Sequence, residues 1–280
     1  MNVAYTVKEV REQVKAWKKE GLSVGLVPTM GYLHEGHASL MKKAVEENDR
    51  VVASVFVNPT QFGPTEDLES YPRDFDKDCA LCESIGVNLV FHPEPEEMYA
   101  PDFCTWVDMD VLSKTLCGKS RPIHFRGVCT VVSKLFNIVT PDRAYFGQKD
   151  AQQLAIIRRM VRDLNMDIEI VGCPIVREED GLAKSSRNTY LNEEERAAAL
   201  ILSKAVFLGQ KMAADGETDT AVIKKAMIEK IESEPLAKID YVEIVDGLSM
   251  QSVDKIEGSI LAAMAVYIGK TRLIDNFIIE

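Results

Sequence analysis

The sequence lacks any excess of positive charge. Its 280 residues include 33 Lys and Arg against 44 Asp and Glu, which gives a formal net charge of −11. A broad nucleic-acid-binding surface requires the opposite sign, so we expect no nucleic-acid partner. Small anionic substrates are compatible with this composition, because a few well-placed cations can reverse the local field. The basic residues available for this are Arg121, His124, Arg126, Lys134, Lys149, Lys184 and Arg187, although scattered surface charges would give the same pattern.

Long apolar runs are missing as well. No uninterrupted stretch of about 18 apolar residues occurs, so we expect no membrane span. The N-terminal segment lacks the apolar core and the cleavage site of a signal peptide. Together with 46% apolar and 28% charged residues, these absences favour a soluble, cytoplasmic globular protein.

A second cysteine pair is missing too. Cys79 and Cys82 form a C-x-x-C pattern, but no further pair follows at the spacing of a zinc site. Both cysteines lie within a segment of helical pattern, where a spacing of three places them on one apolar face. We therefore interpret the pair as structural, and we expect the six cysteines to be reduced in the cytoplasm.

Common nucleotide and hydrolase signatures are also absent. The chain contains no G-x-G-x-x-G and no G-x-S-x-G, which argues against a dinucleotide-binding turn and a serine-hydrolase elbow. Gly118-Lys119-Ser120 matches the tail of a P-loop, but the required first glycine falls at Ser113. Any nucleotide site must therefore be built from other motifs.

What is present is an alternation of strand and helix patterns over the first two thirds of the chain. Residues 23–28 and 50–57 are short apolar runs typical of buried parallel strands, with a helical pattern between them. After about residue 176 the pattern changes to two helices followed by three strands. We predict an α/β fold, with a Rossmann-like parallel-sheet catalytic domain at residues 1–176 and a smaller α+β domain at residues 177–280.

One candidate site lies where the first strand meets the first helix of this pattern. The segment PTMGYLHEGH, residues 28–37, places His34 and His37 three residues apart at a helix start. Unpaired backbone N–H groups and the helix dipole favour a phosphate there, and the imidazoles add donors. Metal binding and a simple capped turn are the alternatives. The H-E-x-x-H spacing of a zinc protease is not met, because this sequence is H-E-G-H.

Two further segments carry polar groups suited to polyphosphate. GLAKSSRN, residues 181–188, supplies a lysine, two hydroxyls and an arginine in succession. FGQKDAQQ, residues 146–153, is a second strand-to-helix turn, in which Gly147 allows close approach and Lys149 can face phosphate. Either segment alone would more often be a polar loop or a capped turn.

Taken together, the histidine and K-S-S-R segments resemble the HIGH and KMSKS signatures of nucleotidyltransferases. More specifically, the chain resembles the pantothenate synthetase family through six segments that span the first domain and reach the C-terminus. These are PTMGYLHEGH, FVNPTQFGPTEDLESYPR, SRPIHFRGVCTVVSKLFNIVTPD, AYFGQKDAQQLAIIRRMVRDLN, DGLAKSSRNTYL and TRLIDN.

The resemblance implies roles for individual residues. The ATP-binding set is Met30, Gly31, His34, Gly36, His37, Gly147, Gln148, Lys149, Asp150, Val176, Lys184, Ser185, Ser186 and Arg187. Within it, the catalytic residues would be His34, His37, Lys149, Ser185 and Ser186. Gln61 and Gln153 would hold pantoate, Gln61 would also border β-alanine, and Met30 and Phe62 would cover the pantoate methyl groups. Gln148 stands where the family often has glutamate, and Lys184 where it also has apolar residues.

The implied activity is condensation of (R)-pantoate with β-alanine through a pantoyl-adenylate, releasing AMP and pyrophosphate. The family implies a homodimer and Mg²⁺, which we expect on the ATP phosphates because the resemblance supplies no dedicated protein ligands. Two other functions stay open at this point: a pantetheine-phosphate adenylyltransferase, and a nucleotide sensor without catalysis. The first is usually a much shorter chain and lacks segments like those around Gln61 and Gln153.

Overall fold

The computed structural model describes all residues from Met1 to Glu280. The chain folds into two compact units. The first comprises Met1–Asp110, Arg121–Gln148 and Ile156–Pro174, and the second comprises Val111–Ser120, Lys149–Ala155 and Ile175–Glu280. The second unit therefore includes two short segments that precede its main part in the chain.

A six-stranded parallel sheet forms the centre of the first unit. Its strands are β1 (Asn2–Ala4), β2 (Val24–Thr29), β3 (Arg50–Val55), β4 (Leu89–Phe91), β5 (Arg143–Gly147) and β6 (Glu169–Cys173), in the order β1-β4-β3-β2-β5-β6. The strand order reverses at β2, which pairs with β3 on one side and with β5 on the other. Doubly wound sheets bind their ligands beside the carboxyl ends of the strands at such a switch point. The predicted parallel α/β architecture is confirmed.

Helices connect these strands. They are α1 (Val7–Lys19), α2 (Glu35–Glu47), α3 (Phe75–Ile85), the short α4 (Pro95–Met98) and α5 (Leu116–Ser120), α6 (His124–Val139) and α7 (Ala151–Asp163). Cys79 and Cys82 both lie in α3, and the buried Cys82 thiol contacts Met41. The sequence patterns predicted neither β1 nor α1, although Thr6 and Glu9 form a capping box that marks the start of α1.

The strands of the first unit are apolar because both faces of the sheet are covered. Val27, Val51, Ala53 and Val90 are each at most 1% exposed. They pack against Met41 and other residues of α2 and α3 on one face. Covered parallel strands of this kind are continuous apolar runs rather than alternating ones, which is the pattern that the sequence displayed.

The main part of the second unit, Ile175–Glu280, contains an antiparallel sheet and three helices. The strands are β7 (Ala237–Asp246), β8 (Ile260–Ile268) and β9 (Thr271–Ile279), with β8 in the middle and almost wholly buried. The helices are α8 (Glu193–Ala198), α9 (Leu200–Ala214) and α10 (Thr220–Glu232). The predicted α+β character of this part of the chain is confirmed, but the first of its two predicted helices is divided at Ala199 into α8 and α9.

The helical stretch Glu193–Ala214 is long and apolar enough to cross a membrane by length and composition alone. Its apolar side chains Ile201, Leu202, Ala205 and Val206 belong instead to the core of the second unit. The core helix of a globular protein satisfies the same criteria, because it too is apolar over most of its circumference.

Candidate active site

The two histidines of the first motif form the start of α2. His34 is the N-cap residue, and its Nδ1 accepts a hydrogen bond from the backbone N–H of Gly36 at 3.1 Å. His37 Nδ1 accepts in turn from the backbone N–H of His34 at 3.3 Å, and the ring centroids are 4.1 Å apart. The imidazoles thus occupy the places that serine and glutamate take in an ordinary capping box.

This capping fixes the tautomer of both rings. A nitrogen that accepts from a backbone N–H carries no proton, so the proton of each neutral imidazole lies on Nε2, which becomes a donor. The sequence had predicted unpaired backbone N–H groups at this helix start. That expectation is wrong for Gly36, whose N–H is taken by His34. The donors that the turn can offer an anion are therefore chiefly the imidazole Nε2–H groups, reinforced by the helix dipole.

The turn before these histidines is strained. Gly31 and Tyr32 both have left-handed backbone conformations, with φ of 82° and 50°. Such a conformation costs a residue with a side chain roughly 1–2 kcal/mol. Asp78 of α3 accepts hydrogen bonds from the N–H groups of Tyr32 at 2.9 Å and Leu33 at 2.7 Å. The hydroxyl of Thr29 accepts from the Gly31 N–H at 3.2 Å. These bonds hold the turn in its strained shape.

Gln61 lies at the carboxyl end of β3, in a 3-10 turn over Pro59–Gln61. Its Oε1 accepts from Asn58 Nδ2 at 3.0 Å, and its Nε2 is 3.1 Å from the sulfur of Met30. The structure therefore brings together two residues that the sequence predicted for the substrate site. The hydroxyl of Tyr99 donates to Asn58 Oδ1 at 2.8 Å, so the Asn58 amide must present its NH₂ group to Gln61.

Helix α6 closes over this turn through a glycine. A Cβ on Gly127 would lie 2.5 Å from the carbonyl oxygen of Thr60 and 2.6 Å from the Cα of Gln61. His124, at the start of α6, has its Nδ1 3.0 Å from the Gln61 carbonyl oxygen. Phe62, the residue after Gln61, is buried, and its ring makes an edge-to-face contact with the ring of Tyr71. Only glycine at position 127 allows this close contact between helix and turn.

Three residues of this site were missed by the sequence analysis. They are Asn58, which bonds to the Gln61 amide, Tyr99, which bonds to Asn58, and Asp78, which binds the backbone just before the histidine pair. Asn58 had a usable signal, since it is a polar residue that directly follows an apolar strand and precedes a proline. Asp78 and Tyr99 had none, because their partners lie 46 and 41 residues away in the chain.

The basic residues of the first unit are largely engaged with their own neighbours. Arg121 forms an ion pair with Glu66, with Nε 3.0 Å from the carboxylate. Arg126 stacks 4.2 Å from the centroid of the Trp106 ring, and Lys134 lies 5.1 Å from the Phe103 ring centroid. Burial lowers the pKa of Lys134 from its ordinary value. These cations therefore stabilise the packing around α6.

Gly147 ends β5, the neighbour of β2 in the sheet. No atom lies within 4 Å of the position that a Cβ would take there. Its backbone is therefore open to a ligand. Gln148, also in the first unit, begins the 3-10 turn Gln148–Asp150 that follows.

In the second unit, Lys149 and Asp150 directly precede α7, and Gln153 lies in its first turn. The Lys149 carbonyl accepts from Asn276 Nδ2 at 2.9 Å, Asp150 is exposed, and Gln153 is partly exposed. Gln152 between them is buried and bonds to the backbone of Leu112, Thr115 and Cys117. Gln152 thus anchors the segment that carries Lys149 and Gln153.

The K-S-S-R segment directly follows a hairpin-like turn in the second unit, the two sides of which pair through Arg177 and Ala183. The Lys184 N–H donates to the Val176 carbonyl at 2.9 Å, and the Glu178 N–H donates to the Leu182 carbonyl at 2.8 Å. Ser185 caps the 3-10 turn Ser186–Tyr190, with its Oγ accepting from the Arg187 N–H at 3.3 Å. The five predicted residues Val176 and Lys184 to Arg187 are thus brought together on one local structure.

Charged groups secure the hairpin-like turn that precedes the K-S-S-R segment. Arg177 forms a two-pronged ion pair with the buried Asp275, at 2.7 and 2.8 Å. Glu178 accepts from Arg196 at 2.7 Å and from Asn188 Nδ2 at 2.9 Å. Burial alone would raise the pKa of Glu178, but these hydrogen bonds outweigh it and lower that pKa. The loop therefore depends on a carboxylate that stays ionised.

Comparisons with known proteins identify the family to which the chain is similar. A profile of the family described as pantoate-beta-alanine ligase matches residues 2–278. The chain is 66% identical to a pantothenate synthetase of Ruminiclostridium cellulolyticum over 277 residues, which are 99% of this chain and 98% of that relative.

Two solved structures are similar over the same length. The pantothenate synthetase of Thermus thermophilus has a TM-score of 0.93 at 45% identity and covers 99% of each chain. The pantoate-beta-alanine ligase of Francisella tularensis, solved with beta-gamma ATP and beta-alanine, has a TM-score of 0.81 at 33% identity, covering 99% of this chain and 97% of its own. A match across nearly the whole chain, on the fold and the motifs described above, establishes that this protein belongs to the pantoate–β-alanine ligase family.

Proposed function

We propose that this chain is an AMP-forming ligase that joins (R)-pantoate to β-alanine at the expense of ATP. The observation that carries this function is the pair of capped histidines at the start of α2, within a family match that spans residues 2–278. The pair offers two Nε2–H donors beside the carboxyl end of the central strand β2, where doubly wound sheets bind their ligands. The related enzyme of Francisella tularensis was solved with an ATP analogue and β-alanine, which supports the same substrates here.

In the first half-reaction, a carboxylate oxygen of pantoate attacks the α-phosphorus of ATP. The bond between this phosphorus and the oxygen bridging to the β-phosphorus breaks, and pyrophosphate leaves. Negative charge develops on the phosphoryl oxygens, so fixed donors and cations lower the barrier. We assign this role to His34 and His37 in the first unit, and to Lys149, Ser185 and Ser186 in the second.

Other residues bind ATP without a direct chemical role. Gly31, Gly36, Gly147 and Val176 offer backbone or space, and Gly147 is open to a ligand at its Cα. Met30, Gln148, Asp150, Lys184 and Arg187 complete the proposed ATP-binding set. Lys184 lends itself to backbone contact, because its N–H already fixes the loop through Val176.

Pantoate is proposed to lie against Gln61 and Gln153. Because Asn58 holds the Oε1 of Gln61, the amide presents Nε2 as a donor on the side of Met30, where a hydroxyl or carboxylate oxygen can accept. Met30 and Phe62 supply apolar surface for the two methyl groups. Gln61 also borders the position of β-alanine in this proposal.

In the second half-reaction, the β-alanine amine attacks the pantoyl carbonyl carbon. The bond to the AMP oxygen breaks, the nitrogen loses a proton, and pantothenate and AMP are released. An unactivated carboxylate is a poor electrophile, whereas an adenylate supplies a good leaving group. No nucleophile of the enzyme is required.

Mg²⁺ fits this chain as an ion carried by the substrate. No group of three or more His, Cys, Asp or Glu side chains is arranged to hold a metal, and Mg²⁺ commonly binds through nucleotide phosphates with few protein ligands. We propose MgATP as the form used and a homodimeric assembly, as the family resemblance implies, and we propose a cytoplasmic location.

The decisive test is exchange of labelled pyrophosphate into ATP. We expect exchange when pantoate is present and β-alanine is absent, and none when pantoate is omitted. A pantetheine-phosphate adenylyltransferase would respond to phosphopantetheine instead, and a nucleotide sensor would show no exchange with either compound. If exchange also required β-alanine, the ordered two-step scheme would have to be abandoned.

A further inference from the structure

Asp78 is a buried carboxylate that the proposed chemistry does not use. It lies on α3, is 2% exposed, and forms no ion pair with a basic side chain. A buried charge without an opposite charge is retained only where other groups solvate it. Here the solvating groups are the backbone N–H groups of Tyr32 and Leu33, the two residues that immediately precede the histidine pair.

The turn that Asp78 binds has an unfavourable backbone conformation at Tyr32. Gly31 and Tyr32 are two consecutive residues with left-handed backbone conformation, and such conformations persist when the surroundings overdetermine them. The Asp78 carboxylate does this from outside the turn, because α3 is a separate element anchored to the core through Cys82. A Cβ on Gly31 would lie 2.9 Å from Asp78 Oδ2, so the carboxylate packs directly on the turn.

The geometry points to Asp78 as a positioning residue for the adenylation step. By holding the N–H groups of Tyr32 and Leu33, it fixes the direction in which the chain enters α2 and thereby the placement of the His34 and His37 rings. It touches neither the proposed substrates nor the reacting atoms. This inference rests on the proposed function, since the placement of the histidines matters only if they act on ATP.

The test is pyrophosphate exchange by Asp78→Asn. Asparagine keeps the shape but places an NH₂ group opposite one of the two N–H donors, so one bond becomes a repulsion whichever way the amide turns. We expect kcat for exchange to fall about 10- to 100-fold, the scale for slight misplacement of a catalytic group. KM for ATP should change little, because the loss falls on the transition state.

Two control variants separate positioning from general damage. Asp76→Asn makes the same charge change at an exposed site on the same helix and should leave kcat unchanged. Val10→Ala removes buried volume from α1 and should lower the melting temperature while kcat stays normal. The two variants are compared at equal melting temperature. The inference would be overturned if Asp78→Asn then lost no more kcat than Val10→Ala.

Replacing Tyr32 by glycine gives an independent readout. Glycine adopts the left-handed conformation without a steric penalty, so adding Tyr32→Gly to Asp78→Asn should recover part of the lost kcat.

If Asp78→Asn does not fold, amide hydrogen exchange in the wild-type protein tests the inference instead. Tyr32 and Leu33 amides as slow as those of β2 support the inference, and amides as fast as an open loop contradict it. Absence of pyrophosphate exchange in the wild type would refute the proposed function instead.

Discussion

The turn at the start of α2 and the K-S-S-R loop are both proposed to act on ATP, yet they are held in place by different forces. The α2 turn is fixed by short-range capping and by one buried carboxylate, over the apolar strands of the central sheet. The K-S-S-R loop is fixed by two ion pairs, one between Arg177 and the buried Asp275 and one between Arg196 and the partly exposed Glu178. A partly exposed ion pair such as Arg196–Glu178 is screened by salt and is weaker than a buried hydrogen-bonded group.

The difference suggests a division of roles. A rigid, strained turn suits groups that must meet the developing charge at fixed positions. A loop held partly by exposed ion pairs suits groups that take hold of a nucleotide and let the product go. Variants that disturb the α2 turn should therefore affect catalysis, and variants that disturb the K-S-S-R loop should affect ligand binding.

The largest effect is expected at His37. His37→Ala should lower kcat for pyrophosphate exchange by roughly 10²–10³-fold, the usual scale for losing one transition-state donor. The variant also loses a cap, which costs about 0.5–2 kcal/mol of stability. Melting temperature should therefore drop only modestly, and steady-state kinetics with saturating ATP measure the loss. Near-normal kcat would remove His37 from the proposed catalytic group.

Gly31→Ala is expected to have the next largest effect. Alanine at this position must adopt a φ of 82° and place its Cβ 3.0 Å from Val55 Cγ1 as well as against Asp78. Strain and crowding together should destabilise the protein by roughly 2–4 kcal/mol and lower kcat about tenfold, because the histidines shift. Denaturant unfolding and exchange kinetics measure the two losses.

Gly21→Ala is the matched control for this substitution. Gly21 has a similar φ of 77°, but no atom lies within 4 Å of its Cβ position. The Gly21→Ala variant should lose only the stability that the left-handed conformation costs alanine, roughly 1–2 kcal/mol, and its kcat should be unchanged. Equal losses of stability and of kcat in both variants would show that crowding against Asp78 is unimportant.

Amide hydrogen exchange should distinguish the two regions directly. We expect the amides of residues 185–187 to exchange more slowly when ATP is bound, because this segment gains contacts with the ligand. The amides of Tyr32 and Leu33 should be slow with or without ATP, since Asp78 already binds them. Mass spectrometry of overlapping peptides provides the measurement. Unchanged exchange at residues 185–187 under saturating ATP would contradict ordering by the nucleotide.

The same contrast explains what the sequence could and could not predict. The covered strands β2 and β3 and the position of the histidines were predictable, because apolar runs and strand-to-helix turns are local patterns. The role of Asp78 was not, because a carboxylate within an ordinary helical segment carries no sign of the turn that it binds. The interruption at Ala199 was not predictable either, since both flanking segments have helical composition.

The smallest expected effect concerns stability. The contributions of two carboxylates, Asp78 and Glu178, to the free energy of unfolding should change in opposite directions with pH. Burial raises the pKa of Asp78 above 3.8, despite its backbone hydrogen bonds. The contribution of Asp78 to stability is therefore most favourable below the pKa that this group has in the unfolded chain. It decreases as pH rises through the pKa that the group has in the folded protein. Glu178 has a pKa below 4.5, because hydrogen bonds from Arg196 and Asn188 outweigh its burial. The contribution of Glu178 to stability is present above the pKa of the unfolded chain and is lost as pH falls through the pKa of the folded protein.

Urea unfolding of Asp78→Asn and Glu178→Gln between pH 7 and pH 3.5 tests these signs, with the wild type as reference. The neutral amides remove each titration, so the difference in free energy of unfolding from the wild type isolates one carboxylate. As pH falls, Asp78→Asn should lose stability relative to the wild type, because only the wild type can protonate a destabilised charge. Glu178→Gln should gain relative stability over the same change, because the wild type alone loses an ionised partner of Arg196. The same sign in both variants would mean that Asp78 and Glu178 are held by the same kind of force, and the contrast between the two regions would be lost.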